Sequence, residues 1–288
     1  MPYVNASDML RKALNGHYAV AQININNLES IRTLISVAQE LHAPLMLGVS
    51  MGVAKQLGGY KTIADVVKNV LTYDRAAVPV CLHADHSAYD AAMEALQNGF
   101  SSVMFDGSRL PIAENLALTR QLTACCHAKG ASLEAEVGAV AGHEDGGELS
   151  GELADPDECA RIAELGVDMM AAGIGNMHGA YPVNWRGLDF ERLSAIRAAT
   201  GELPLVLHGG SGVPEESIRR AIGMGVCKIN VNSECREAFE QATRLFFSQE
   251  RDRKDTAHMQ MITLKPGLEA VKAVAMEKMR LFGSAGKA

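Results

Sequence analysis

The stretch Cys81-Leu82-His83-Ala84-Asp85-His86-Ser87 sets two imidazoles and a carboxylate within four positions. Imidazoles bind divalent metals and carboxylates carry protons. An apolar run, Ala76 to Val80, precedes them and reads as a buried strand, and a helical pattern opens at Tyr89. The three groups therefore fall where a strand meets a loop, the place where parallel α/β proteins bind ligands. Asp85 and His86 are adjacent, and strict strand alternation points them to opposite faces. Both reach one site only if the pleat breaks between them.

Other strand ends carry similar groups. Asp106 closes the fourth apolar run, Glu134 and Glu136 lie in the fifth, and His143, Glu144 and Asp145 follow in its loop. Asn176, His178 and Gly179 follow the sixth, His208-Gly209-Gly210-Ser211-Gly212 the seventh, and Asn230, Asn232 and Ser233 the eighth. Three histidines on separate strand ends, His86, His178 and His208, suit a zinc ion that takes three protein ligands and keeps positions open for substrate. Nine histidines in the chain also allow chance placement of some at strand ends. Spacing alone leaves ordinary strand-end hydrogen bonding as the alternative. His17, His42, His127 and His258 fall at helix ends or outside this ring, where capping or surface roles are expected. The glycines after His178 and His208 supply backbone N–H groups, Asn230 and Asn232 add side-chain donors, and Ser233 opens a helix. Backbone amides, a hydroxyl and a helix start thus make a candidate phosphate cradle after the seventh and eighth strands, where barrels commonly bind phosphate.

These residues need a scaffold that brings eight strand ends together. Apolar runs at His17 to Ile25, Pro44 to Val49, Val78 to Leu82, Ser102 to Phe105, Ser132 to Val137, Val167 to Gly173, Pro204 to Leu207 and Val226 to Val231 alternate with helical patterns. Helical crossovers force parallel strands. The count predicts an α/β chain with a single (β/α)8 TIM barrel over residues 1–288, with an open doubly wound sheet as the other reading. A further helix, Asn5 to Gly16, precedes the first strand, and Ser7 is placed to cap it. A C-terminal helical extension follows the last strand, ending in an amphipathic helix over Pro266 to Leu281. Ser50 to Tyr60, Gly138 to Asp155 and Ile174 to Gly187 read as loops.

Composition excludes several function classes. The formal net charge is -7 and no basic cluster occurs, which argues against nucleic acid or an anionic membrane as partner. There is no run long enough to span a membrane and no signal-peptide pattern at the N-terminus. Six cysteines show no C-x-x-C pair, so free thiols in a reducing cytoplasm are expected.

Taken together the motifs resemble the class II, zinc-dependent ketose-bisphosphate aldolases of the fructose- and tagatose-bisphosphate type. The resemblance is carried by His-Ala-Asp-His at 83–86, Met-Phe-Asp-Gly-Ser at 104–108 and Leu-Glu-Ala-Glu-Val-Gly at 133–138. It continues with Gly-Asn-Met-His-Gly at 175–179, Leu-His-Gly-Gly-Ser-Gly at 207–212 and Lys-Ile-Asn-Val-Asn at 228–232. It implies a lyase that reversibly cleaves a ketose 1-phosphate or 1,6-bisphosphate to dihydroxyacetone phosphate and an aldehyde, with Zn²⁺ on His86, His178 and His208. It further implies that Asp85 exchanges a proton with the C4 hydroxyl and that Glu144 transfers the proton at C3. Asp106 and Glu136 match positions that hold a second divalent or monovalent cation in some members. Gly179, Gly209, Ser211, Asn230, Asn232 and Ser233 would hold the C1 phosphate, and Asn24 and Ser50 match positions near the substrate. A homodimer or homotetramer in the cytoplasm is implied as well.

A Schiff-base aldolase would instead need a lysine projecting into the barrel, for which Lys228 is the inner-strand candidate. Two departures from the family pattern stand out. Residue 84 is Ala where many relatives carry Leu. Bisphosphate aldolases carry an Asp-Pro-Arg tripeptide whose arginine holds the distal phosphate, and no arginine occurs from Lys254 to Lys265. Arg251, Arg253, Lys254 and Lys265 are the nearest replacements. Because arginine recognises phosphate bidentately, the expected substrate is a ketose 1-phosphate whose distal end is unphosphorylated or differently charged. A metal-dependent phosphosugar epimerase or isomerase on the same scaffold is the rival reading.

Overall fold

The computed structural model describes residues 2–144, 147–149, 151–254 and 260–288, with side chains omitted at 143, 144, 147–149, 253, 254, 260 and 261. The strands are β1 (Val20–Asn24), β2 (Leu45–Val49), β3 (Val80–Ser87), β4 (Ser102–Phe105), β5 (Ser132–Val137), β6 (Ala141–Glu144), β7 (Gly147–Leu149), β8 (Met169–Ala172), β9 (Met177–His178), β10 (Leu205–Leu207) and β11 (Val226–Val231). The helices are α1 (Ser7–Asn15), α2 (Leu28–Leu41), α3 (Met51–Gln56), α4 (Tyr60–Tyr73), α5 (Tyr89–Gln97), α6 (Ile112–Ala128), α7 (Pro156–Ala163), α8 (Phe190–Thr200), α9 (Glu215–Gly223), α10 (Ser233–Ser248), α11 (Arg251–Lys254) and α12 (Gln260–Leu281).

Eight strands close a parallel barrel in the order β1-β11-β10-β8-β5-β4-β3-β2. This is the (β/α)8 fold, as the alternation of strand and helix predicts. The outer faces of the strands share one large core with the surrounding helices, including Ile31, Leu34, Leu122 and Ile218. The lower lumen is a second, separate core. Val20, Met46, Cys81, Met104, Met169 and Val206 pack there against Ala6, Met9, Leu10 and Ala13 of α1. The helix before β1 is therefore a plug that seals the N-terminal mouth. At the other end of the chain α12 packs on α2 and α10, and the Phe282 carbonyl accepts a hydrogen bond from Ala19 N at 2.9 Å.

Several local expectations are corrected. Ser7 does not cap α1; Ala6 occupies that place, and the Ser7 hydroxyl donates to Asp168. Residues 51–56 form α3 rather than loop, with Ser50 as its cap, accepting from Val53 N at 3.4 Å. The glycines at 52, 58 and 59 hide this short helix from a propensity reading. Residues 138–155 contain an antiparallel hairpin, β6–β7, and β6 continues in parallel pairing to β9. The last helix starts at Gln260 and takes Pro266 into its interior. All six cysteines are free, and no helix of the described residues is long and apolar enough to cross a membrane.

Candidate active site

Along each barrel strand, side chains two residues apart face the lumen. Val20 is thus followed upward by Gln22 and Asn24, Cys81 by His83 and Asp85, Met104 by Asp106, and Val206 by His208. Asp85 follows this alternation. His86 breaks it: the β3–β4 register shifts between Ala84 and Ser87, and His86 adopts φ +43°. The bulge turns two consecutive side chains to the same mouth, which is the pleat break that their adjacency demands. A left-handed non-glycine residue costs about 1–3 kcal/mol and persists only where its surroundings enforce it. The His86 amide is held by Met104 Sδ at 3.3 Å. Ala84, between the two site residues, points outward into the main core.

The three histidines meet. Ring centroids lie 4.4 Å apart for His86 and His208, 4.8 Å for His86 and His178, and 5.8 Å for His178 and His208. One nitrogen from each lies within 4.8 Å of the others. His208 Nε2 contacts Glu134 Oε1 at 2.7 Å, which assigns the ring proton to that nitrogen and leaves the Nδ1 lone pair facing the cluster. His86 Nε2 stands 2.6 Å from His208 Nδ1. Burial, reinforced by His86, lowers His178 to about 4, and the same causes hold His208 well below the ordinary range. Three imidazole nitrogens converging from separate strand ends fit a divalent cation.

On its other side His86 Nδ1 faces Asp106 Oδ2 at 3.4 Å and Glu136 Oε2 at 3.6 Å. This second group could also hold a cation. Burial raises the Asp106 carboxyl, but the hydrogen bond and charge of His86 outweigh it and hold the group below the usual carboxylate range. Asp85 is similar. Its burial is overcome by His86, Lys228 and His208, so it is ionised. Gln22 Nε2 donates to Asp85 Oδ2 at 2.8 Å, and Asn230 Nδ2 lies 3.3 Å from Oδ1. Gly48 makes room for this, since a Cβ there would stand 2.6 Å from Gln22 Nε2.

A cavity of about 470 Å³ opens above these groups. Asp85 and His178 form its inner wall. Gly179, Gly209, Ser211, Asn230, Asn232, Ser233, Asn24 and Ser50 also line it. Each residue of the expected phosphate cradle thus lies in one cleft. Glu144 lies in β6, two residues beyond Gly142, which pairs with His178; its side chain, like His258, lies outside the described residues. Arg251 sits over the Phe246 ring at 5.2 Å, and Lys265 is exposed on α12.

Sequence reasoning gave no role to Gln22, Glu134 or Arg236 and weighed Lys228 only as a Schiff-base lysine. Gln22 orients Asp85. Glu134 joins His208 to Lys228, whose Nζ is 2.8 Å from Glu134 Oε2, both fully buried. Lys228 is therefore ion-paired beneath the site. Arg236, in the first turns of α10, lines the cleft beside Ser233. The signal for Gln22, Glu134 and Lys228 is polar residues spaced by two inside apolar strands, at 22/24, 134/136 and 228/230.

The family model described as "Fructose-bisphosphate aldolase class-II" matches residues 4–287. The chain belongs to the class II fructose-bisphosphate aldolase family. As such it is a carbon–carbon lyase. A fructose-bisphosphate aldolase of Streptococcus pneumoniae is 43% identical over 294 residues, covering 100% of both chains. One from Mycoplasma pneumoniae is 44% identical over 287 residues, covering 99% of each. The crystal structure of the YdjI aldolase from Escherichia coli K12 superposes with a TM-score of 0.83 at 30% identity, covering 99% of each chain. An aldolase that uses a Schiff base would need a lysine open to the substrate, and Lys228 is fully buried against Glu134.

Proposed function

We propose that this aldolase is zinc-dependent and cleaves a ketose carrying a phosphate at C1, releasing dihydroxyacetone phosphate and an aldehyde. The observation that carries the reading is the shared cleft. Asp85 and His178, one of the three converging histidines, line it together with Gly179, Gly209, Ser211, Asn232, Ser233 and Arg236. His86, His178 and His208 would hold Zn²⁺, which supplies Lewis-acid polarisation of the C2 carbonyl. Asp106 and Glu136 are the proposed holders of a second divalent or monovalent cation.

The chain's own groups do the remaining work. Asp85, ionised and fixed by Gln22 and Asn230, accepts the C4 hydroxyl proton as the C3–C4 bond breaks; such general-base help is worth on the order of 10²–10⁴ in rate. Glu144 is the proposed carboxylate for the proton at C3. Backbone N–H groups at Gly179 and Gly209, the Ser211 and Ser233 hydroxyls and the start of α10 bind the phosphate dianion, and Arg236 adds a cation. Asn24 and Ser50 line the same cleft. This anchoring contributes orientation to the reacting end. The same reading places the protein in the cytoplasm as a homodimer or homotetramer.

Absence of the Asp-Pro-Arg arginine supports a distal end that is unphosphorylated or differently charged. Coupled detection of dihydroxyacetone phosphate from a panel of ketose 1-phosphates and from fructose 1,6-bisphosphate tests it. A ketose 1-phosphate is expected to give the higher kcat/KM. Strong preference for the bisphosphate contradicts the distal-end part, and no dihydroxyacetone phosphate from any ketose contradicts the reaction.

A further inference from the structure

His178 and His208 sit on segments far apart in sequence, and three contacts join their backbones. Asn176 Nδ2 donates to the His208 carbonyl at 3.0 Å, while its Oδ1 accepts from Ile174 N at 2.9 Å. The Tyr181 hydroxyl donates to the Gly209 carbonyl at 2.8 Å and accepts from Met177 N at 3.1 Å. One phenol oxygen thus bridges the residue before His178 and the residue after His208. The third contact is direct. Gly209 has φ +65°, and a Cβ there would stand 1.9 Å from the Met177 carbonyl oxygen, so the two backbones touch.

The phenol is itself held in place. Its ring lies 4.0 Å, centroid to centroid, from that of Trp185, whose Nε1 donates to the Gly175 carbonyl at 2.7 Å. Burial pushes the Tyr181 hydroxyl up to about 12, so it remains a donor at neutral pH.

We infer that Tyr181, together with Asn176, is a positioning residue that sets the spacing of His178 and His208 and so the affinity of the site for a divalent cation. The inference rests on the metal-dependent reading above. Neither side chain needs to touch substrate for this role. Partners that orient metal ligands from behind typically govern affinity by 10–100-fold, and a site held too loosely by its supports loses affinity even with every ligand present.

Tyr181→Phe removes one oxygen and keeps the ring on Trp185. Zn²⁺ competition titration of the whole protein against a chromophoric chelator is expected to show binding weaker by about tenfold or more. The visible absorption of the Co²⁺-loaded variant is expected to shift from that of the wild type, a change that lost stability alone does not produce. Tyr89→Phe is the matched control, because the Tyr89 hydroxyl donates to Gln121 Oε1 at 3.1 Å outside the site; both readouts should stay at wild-type values. Unchanged Zn²⁺ affinity and Co²⁺ spectrum in Tyr181→Phe overturn the clamp while leaving the proposed reaction intact. A wild-type chain that takes up neither ion overturns both.

Discussion

The lower and upper halves of the barrel lumen are built on the same strands and bury opposite kinds of side chain. Below, Val20, Met46, Cys81, Met104 and Val206 close on Met9 and Leu10 of the plug helix. Two residues further along the same strands stand Gln22, His83, Asp106 and His208. The lower half gains from removing apolar surface from water. The upper half pays desolvation for each polar group and recovers it only through partners. Those partners are present: Glu134 serves Lys228 and His208, Ser102 serves His83 at 2.8 Å, and Gln22 serves Asp85. One half therefore carries stability and the other carries chemistry, and substitutions should separate them.

Asp85→Asn is the sharpest break and the largest effect. Its kcat per folded molecule for release of dihydroxyacetone phosphate should fall on the order of 10²–10⁴-fold. A fall of less than about tenfold would remove Asp85 from the proton-transfer role. Leu10→Ala probes the other half. Leu10 is fully buried, so chemical denaturation should show a loss of about 2–5 kcal/mol, while KM and kcat per folded molecule stay at wild-type values. A changed KM would mean that the plug is coupled to the site.

The smaller effect is pH-linked. Burial, with a contribution from Lys228, lowers His83 to about 4, and burial with His86 does the same for His178, against 6.5 for the free group. Between these values the unfolded chain takes up protons that the folded chain does not, so stability falls as pH falls. Above about 6.5 these two groups add no pH dependence. Urea midpoints of the metal-free chain should therefore drop as the pH is lowered from about 6.5 toward 4. A midpoint that rises on acidification over that window would contradict neutral histidines in the upper lumen.

The sequence revealed the strand–helix alternation, because apolar runs bounded by turn residues repeat along the chain. It also revealed the strand-end polar groups, because metal ligands and carboxylates stand out against those runs. It misplaced the end of β3: the strand continues to Ser87, five residues past Leu82, since inward polar residues of an upper lumen look like loop. It assigned no task to Glu134 or Gln22, whose partners, His208 and Asp85, lie 74 and 63 residues away. Such pairings are created only when the barrel closes. The β6–β7 hairpin escaped notice because its strands are short and rich in glycine, whereas its link to His178 depends on Gly142 lying against β9.

The bulge at His86 ties these points together. Adjacency of Asp85 and His86 required a break in the pleat, and the register shift and left-handed backbone at His86 supply it. A strained residue at the mouth then presents one nitrogen toward His208 and the other toward Asp106 and Glu136. The proposed chemistry stands on what that first nitrogen shares with His178 and His208.

The most direct measurement is therefore release of dihydroxyacetone phosphate by protein stripped of metal with EDTA, before and after adding Zn²⁺ or Co²⁺. Stripping should abolish release, and either ion should restore it. Full activity after exhaustive chelation, with no bound metal found by elemental analysis, would contradict the account.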